Sequence, residues 1–274
     1  MKPHSGNTYC REVEENTTSK VKIPTQPLGQ AGFRLQFDDT VVYIDPYLSD
    51  SVAELDGEDL QRLVPIPILP ENVTDATWVL ISHIHLDHCD PQTLIPLSCS
   101  SSECKFICPQ EVGILLSELG ISKSRIVAAP EEWMVLSSDL RLRAVPSAHP
   151  AIERDASGCL RCVGYVLEYQ NRLIYHAGDT SPAVELIDAL KNLGSIEVAL
   201  LPVNEKNFYR DRRGIIGNMS VREAFQMAID IDAATIVPMH WDMFQPNSVF
   251  LEEIELLYRL IAPPIKMLIR PEEI

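Results

Sequence analysis

Nowhere in the 274 residues is there an apolar run close to the ~20 residues that a membrane-spanning helix needs. Lys2 is not followed by an apolar stretch, so no secretory signal is expected. Positive charge is scarce. The chain has 23 Lys and Arg against 39 Asp and Glu, a formal net charge of −16, which argues against nucleic acid or an anionic membrane as its bulk partner. A small anionic substrate stays open, because one basic patch or a bound metal can override the global field. Seven cysteines are an odd number in a chain long enough to build a core without staples, so they read as reduced thiols of a cytoplasmic protein. Cys159 and Cys162 form a C-x-x-C pair, but no second Cys or His pair stands at zinc-finger spacing from it. Cys89 reads as a small buried thiol. Internal repeats and low-complexity linkers are also missing.

What is present is a dense cluster of titratable groups. Ser82-His83-Ile84-His85-Leu86-Asp87-His88 follows the apolar run Trp78-Val79-Leu80-Ile81. Three imidazoles and a carboxylate at the mouth of a buried strand add nothing to packing. They suit metal ligation, provided distant segments supply further donors.

Residues 1–24 are polar and aperiodic, a loose arm in which His4 is a bystander. Residues 25–274 read as a single domain. Segments 33–37 and 41–44 form a hairpin ending in Asp45-Pro46. Residues 49–76 are acidic and Pro-rich, a loop long enough to cover a site. Asp90-Pro91 opens a helix. Further strands are expected at 105–108, 126–128 and 140–145, the last running into Pro146-Ser147-Ala148-His149, and a helix at 109–119. A second hairpin, 163–169 with 172–175, ends in His176-Ala177-Gly178-Asp179. Helices at 182–192 and from Ser220 to about 230, a strand at 198–203 and another at 235–238 ending in Met239-His240 follow, then a helix near 248–260 and a strand at 266–269. Hairpins followed by alternating strands and helices, in each half, indicate an α/β sandwich of two mixed sheets with helices outside.

His83 to His88, His149, Asp179 and His240 all lie just past predicted strand ends. Imidazole with carboxylate suits Zn, Mn or Fe, and seven such groups are too many for one tetrahedral ion. His83-x-His85-x-Asp87-His88, with a later His, a Gly-Asp and a C-terminal His, resembles the metallo-β-lactamase superfamily. That resemblance spans roughly residues 28–270. It implies the superfamily's αββα sandwich and two divalent ions: Zn or Mn first, Fe third. It places His83, His85 and His149 at one ion, Asp87, His88 and His240 at the other, and Asp179 between them, with Asp87 and Asp179 also catalytic. Tyr175-His176-Ala177-Gly178-Asp179-Thr180, Gly217-Asn218-Met219-Ser220 and Val237-Pro238-Met239-His240-Trp241-Asp242 resemble the branch containing ascorbate-6-phosphate lactonase. The lactonases proper have a more elaborate N-terminal region.

The resemblance implies hydrolysis by a hydroxide held between the ions, acting on a lactone or cyclic ester of an anionic, phosphorylated or sugar-like metabolite. A phosphodiesterase acting on a small or cyclic nucleotide is the first rival. A non-hydrolytic di-iron redox or sensing protein is the second. The stretch 206–214 is the one dense basic segment, read either as an anion clamp built on Lys206, Arg210 and Arg213 or as a solvated or intersubunit patch. Asn218 and His176 are further substrate-contact candidates, His176 alternatively orienting Asp179. Asp45 is expected to support the metal site by accepting a hydrogen bond from a ligand imidazole. The loops at 49–76 and 205–218 are where a homo-oligomer would form.

Overall fold

The computed structural model describes residues 21–274. One sheet runs in the order β1-β2-β3-β4-β5-β6. Its strands are β1 (Thr25–Gly29), β2 (Gly32–Phe37), β3 (Thr40–Ile44), β4 (Trp78–Leu80), β5 (Lys105–Cys108) and β6 (Ile126–Ala128). The second sheet holds β7 (Met134–Val135), β8 (Leu140–Pro146), β9 (Val163–Tyr169), β10 (Arg172–His176), β11 (Ile196–Pro202), β12 (Ala233–Met239) and β13 (Lys266–Met267), in the reverse of that order across the sheet. Each sheet joins an antiparallel hairpin region to a parallel region, β3 to β6 in one and β10 to β13 in the other. Both are mixed, as the sequence pattern predicts.

Strand alternation sorts the side chains into layers. Val42, Ile44, Leu80 and Ile107 face the second sheet, within one core shared with Leu142, Val166, Leu167 and Ile174. Their neighbours Val41, Tyr43, Val79 and Phe106 face the opposite way. There they pack under α2 (Pro91–Ser100) and α3 (Gln110–Glu118), through Leu94, Leu97, Val112 and Leu116. Strands covered on both faces carry continuous apolar runs, and these do. Helices α4 (Val184–Lys191), α6 (Val221–Asp230) and α7 (Leu251–Ile261) contribute Leu186, Leu190, Phe225 and Ile254 to the core beside the second sheet. Ser220 begins α6 with a reciprocal capping box to Glu223, and Asp90 caps α2 by accepting from the backbone N–H of Gln92 at 3.0 Å.

Two expectations need correction. Most of the arm expected at 1–24 lies outside the described residues, but its last residues are built into the fold. Ile23 is buried and exchanges backbone hydrogen bonds with Ile274 at 2.8 and 3.0 Å, which closes the two ends of the described chain together. The segment 49–76 is not purely loop. It contains α1 (Ser51–Asp56) and two 3₁₀ turns. Arg62 ties it down by donating to the Tyr47 carbonyl at 2.8 Å, and Leu63 N–H donates to the Met243 carbonyl at 2.8 Å. Another short helix, α5 (Phe208–Asp211), was too brief to show a period. Among the described residues, no helix is long and apolar enough to cross a membrane.

One side chain couples the sheets directly behind the histidine motif. Tyr165 on β9 is fully buried and its hydroxyl lies 2.8 Å from the Ile81 carbonyl and 3.0 Å from that of Ile107. Removing the hydroxyl leaves both carbonyls short of that donor. Tyr165→Phe should therefore destabilise the fold by about 1–3 kcal/mol, measured by urea denaturation; an unchanged midpoint and slope would count against this bridge.

Candidate metal centre

Five strands deliver their C-terminal ends to one rim. Past β3 comes Asp45, past β4 the segment Ser82 to His88, past β8 His149, past β10 Asp179, and past β12 His240. The chain makes these exits by turning sharply: Asp45 and His240 adopt left-handed φ values of 43° and 59°. Such conformations cost roughly 1–3 kcal/mol each and tend to cluster at functional sites. Gly178 is required for a different reason. At φ 59° a Cβ there would lie 2.7 Å from Ser82 Cβ and 2.9 Å from the Val163 carbonyl, so only glycine lets Asp179 approach the motif.

All seven predicted ligand residues come together, in two groups: His83, His85, His149 and Asp179, then Asp87, His88 and His240. In the first, His85 Nδ1 lies 2.9 Å from His83 Nε2 and 3.1 Å from His149 Nε2, and Asp179 Oδ2 lies 3.6 Å from His149 Nε2. In the second, Asp87 Oδ2 lies 3.4 Å from His240 Nε2 and 3.7 Å from His88 Nε2. Asp179 also faces the second group, with Oδ1 at 3.2 Å from His240 Nε2 and 3.3 Å from His88 Nε2. A tetrahedral ion with bonds of about 2.0–2.1 Å needs donor atoms about 3.3 Å apart, and these separations match it.

Unpartnered atoms point the same way. His88 Nε2 and Asp179 Oδ1 are buried without a hydrogen-bond partner, a costly state unless something else satisfies them. Among the described residues, neither Asp87 nor Asp179 pairs with Lys or Arg; their ionic neighbours are the histidines. Burial opposes charge on both carboxylates, but His88 and His240 pull their pKa values well below the usual range. Burial also opposes a charged imidazole at His88 and His240. The carboxylates win there: Asp179, Asp87 and Asp45 hold His88 well above the ordinary histidine value, and Asp179 with Asp87 raises His240 to about 9. Burial pushes His83 well down and His149 down to about 4. This donor set fits divalent cations.

Asp45 sits beneath both groups and is completely buried. Its Oδ2 accepts from His88 Nδ1 at 2.8 Å and from Ser82 Oγ at 2.7 Å, and its Oδ1 accepts from Ser82 N–H at 2.7 Å. Because Ser82 Oγ donates to Asp45, it is free to accept from His83 Nδ1, 2.9 Å away. Both imidazoles are thus held by Nδ1 with Nε2 turned toward the rim, the arrangement metal-binding histidines require. Ser82 escaped sequence reasoning, although its place between a strand and the first His was visible. Gln30 escaped it too, a buried amide whose Nε2 donates to Asp87 Oδ2 at 2.7 Å.

The donors open into a cleft of about 420 Å³ lined by His85, Asp87, Asp179 and His240 and by an apolar wall of Val52, Leu60, Leu86, Ile215, Ile216 and Phe244. The 49–76 segment therefore covers the site. A larger cavity, about 530 Å³ and lined by Cys108, Gly113, Ile126 and Leu160 among others, contains none of the seven donors.

Most of the expected substrate contacts are elsewhere. His176 is fully buried, donates from Nε2 to the Ala31 carbonyl at 2.7 Å and accepts from Gly178 N–H at 3.2 Å. It braces the turn that carries Asp179 and does not line the cleft. Arg210 donates to the carbonyls of Asn204, Glu205, Pro246 (3.1 Å) and Ser248 (2.7 Å), so its guanidinium is committed to stapling loops. Lys206 is exposed and not part of the cleft lining. Asn218 is buried, donating to Asn204, which in turn donates to the cleft residue Asn247. Arg213 alone of these five lines the cleft, ion-paired with Asp59. Burial raises the Cys89 thiol far above its usual pKa, which keeps it protonated and unsuited to ligation. The six cysteines among the described residues, Cys159 and Cys162 included, are free.

Residues 40–241 match a family model described as a beta-lactamase superfamily domain. An uncharacterized protein of Mycobacterium tuberculosis is 26% identical over 221 residues, 79% of this chain, and the chain spans 58% of that relative's length. A metal-dependent hydrolase of Hyperthermus butylicus is 26% identical over 234 residues, covering 83% of this chain and 87% of its own. Among solved structures, a metallo hydrolase from the archaeon Ignicoccus hospitalis superposes with a TM-score of 0.69 at 18% identity, covering 93% of this chain and 98% of the other.

Two outcomes follow from this geometry. Asp45→Ala should weaken divalent-metal affinity by about 10–100-fold, measured by competition with a chelating dye; unchanged affinity would exclude the supporting role. In the metal-free protein the neighbouring carboxylates favour protons on His88 and His240, and burial disfavours them on His83 and His149. Metal uptake must displace those protons, so affinity should rise as pH rises from neutral. Calorimetry in buffers of different ionisation enthalpy measures the release, and pH-independent uptake would contradict it.

Proposed function

The chain belongs to the metallo-β-lactamase superfamily, and on that premise we propose that it is a hydrolase dependent on two divalent ions, opening a lactone or related cyclic ester of a small anionic metabolite. The observation that carries this reading is Asp179, whose Oδ2 faces one group of donors and Oδ1 the other at the floor of the cleft. The metal-dependent hydrolase among its relatives supports the reaction class. Zn or Mn are the favoured ions, with Fe next, on the mixture of imidazole and carboxylate donors.

Held by these residues, the ions would activate a water and polarise the oxygen of the bond under attack. The protein's own groups do the rest. Asp179 is the more deeply buried carboxylate, with 4% side-chain exposure against 18% for Asp87. Asp179 is accordingly the clamp. Asp87 is the more accessible of the two carboxylates, placed to orient an incoming water by accepting a hydrogen bond from it. The apolar side of the cleft lowers the local polarity beside a bound ester, which strengthens electrostatic contacts there.

Arg213 supplies the selectivity for an anionic group. Its present partner, Asp59, is a surface carboxylate in an exposed pair, and such pairs are worth about 0–1 kcal/mol. A substrate anion can displace Asp59 at little cost. With Arg210 committed to backbone carbonyls, Arg213 is the one Lys or Arg lining the cleft among the described residues, so one anionic group per substrate is expected.

The reading is tested by loading the purified protein with Zn or Mn and offering sugar lactones, phosphorylated and plain, beside phosphodiesters. Lactone hydrolysis abolished by chelation and restored by metal is expected; turnover of phosphodiesters with no lactone would overturn the ester assignment. Arg213→Gln should raise KM for the phosphorylated lactone about 10-fold or more, the worth of a charge-assisted hydrogen bond, with kcat and the neutral lactone little affected. Equal losses on both substrates would contradict the role of Arg213.

A further inference from the structure

Gln30 is a buried polar side chain at the metal centre that belongs to neither donor group. It lies in the short turn between β1 and β2, at a left-handed φ of 55°. Its backbone is locked to the loop carrying His240: the Gln30 carbonyl accepts from His240 N–H at 2.8 Å, and Gln30 N–H donates to Asp242 Oδ1 at 3.3 Å. Arg270 fixes that aspartate in turn, donating to Oδ2 from Nη2 at 2.8 Å. The turn and the His240 loop therefore form one unit. From it the Gln30 carboxamide reaches the other side of the second donor group, with Nε2 donating to Asp87 Oδ2 at 2.7 Å and lying 3.2 Å from His240 Nε2.

We propose that Gln30 is a positioning residue for the second donor group, holding the Asp87 carboxylate in register with His88 and His240 so that this half of the centre binds its ion tightly. The inference rests on the reading that each group holds an ion. An amide suits the task because it donates to a carboxylate without bringing a charge. Lys or Arg at this place would neutralise Asp87 and repel a cation. Glu would put a further carboxylate against Asp87. Without the amide, Asp87 keeps no other hydrogen-bond donor among the described residues besides the histidines that share its ion. Its carboxylate is then free to turn to solvent through the cleft.

The test is metal titration of the full chain with Zn and separately with Mn, followed by bound-metal analysis after desalting. Two variants are compared with the native protein. Gln30→Met keeps length and volume but removes the amide. Gln30→Asn keeps an amide one methylene too short and tolerates the left-handed backbone. The native protein should take up two ions in resolved steps. In both variants the first step should be unchanged and the second weakened about 10–100-fold, the usual effect of losing a partner of a ligand. Thermal midpoints of the metal-free proteins separate this from a folding defect, and should differ little between Gln30→Asn and the native chain. If the native protein takes up one ion, the two-ion reading and this inference fall together. If it takes up two and both variants match it, or if both steps weaken equally, only the role of Gln30 is overturned.

Discussion

A fully buried carboxylate is among the costlier things a fold can contain unless its oxygens are satisfied, and Asp45 is the one on which this centre rests. Its two oxygens accept three hydrogen bonds, from the His88 ring, the Ser82 hydroxyl and the Ser82 backbone. Through Ser82 the same carboxylate orients His83. One residue therefore fixes the tautomer of an imidazole in each donor group, and it does so from the end of β3, where the left-handed turn at Asp45 aims it at the end of β4. The charge that Asp179 and Asp87 bring into the interior favours protonated His88 and His240 when no metal is present, and Asp45 adds to this at His88. The same charge favours a cation when one arrives.

The rest of the molecule is arranged to make that corner rigid on one side and open on the other. Tyr165 ties the two sheets at the carbonyl preceding Ser82, and His176 braces the turn before Asp179. Both are core residues that act on the site through backbone. The open side is built from shorter pieces: α1, the turns near Leu60, the segment around Arg213 to Ile216, and Phe244. The outer lining of the cleft is made of these pieces, which have few regular backbone hydrogen bonds. The candidate metal donors are carried by strand ends, which have many.

That division also explains what the sequence disclosed. The donors at His83, His85, Asp87, His88, His149, Asp179 and His240 were legible because each follows a strongly apolar strand, and because polar groups at such ends have no packing role. The sheets were legible from the alternation in 33–37 and 140–145. The basic stretch at 206–214 stayed open to two readings because charge along a loop does not say where a guanidinium is aimed. Arg210 turns back onto four carbonyls of its own neighbourhood while Arg213, three residues on, reaches the cleft. His176 was ambiguous for a similar reason: strand alternation places it on the face opposite its neighbours, buried against Ala31. Gln30 and Ser82 were missed because an amide and a hydroxyl carry no signal until the segments they join are seen together.

The central claim is that Asp179 stands between two metal positions. Anomalous scattering from crystals grown with Zn or Mn measures this directly. The account predicts two peaks per chain, one among His83, His85 and His149 on the Oδ2 side of Asp179 and one among Asp87, His88 and His240 on its Oδ1 side. A single peak, or peaks that do not adjoin Asp179, would contradict it.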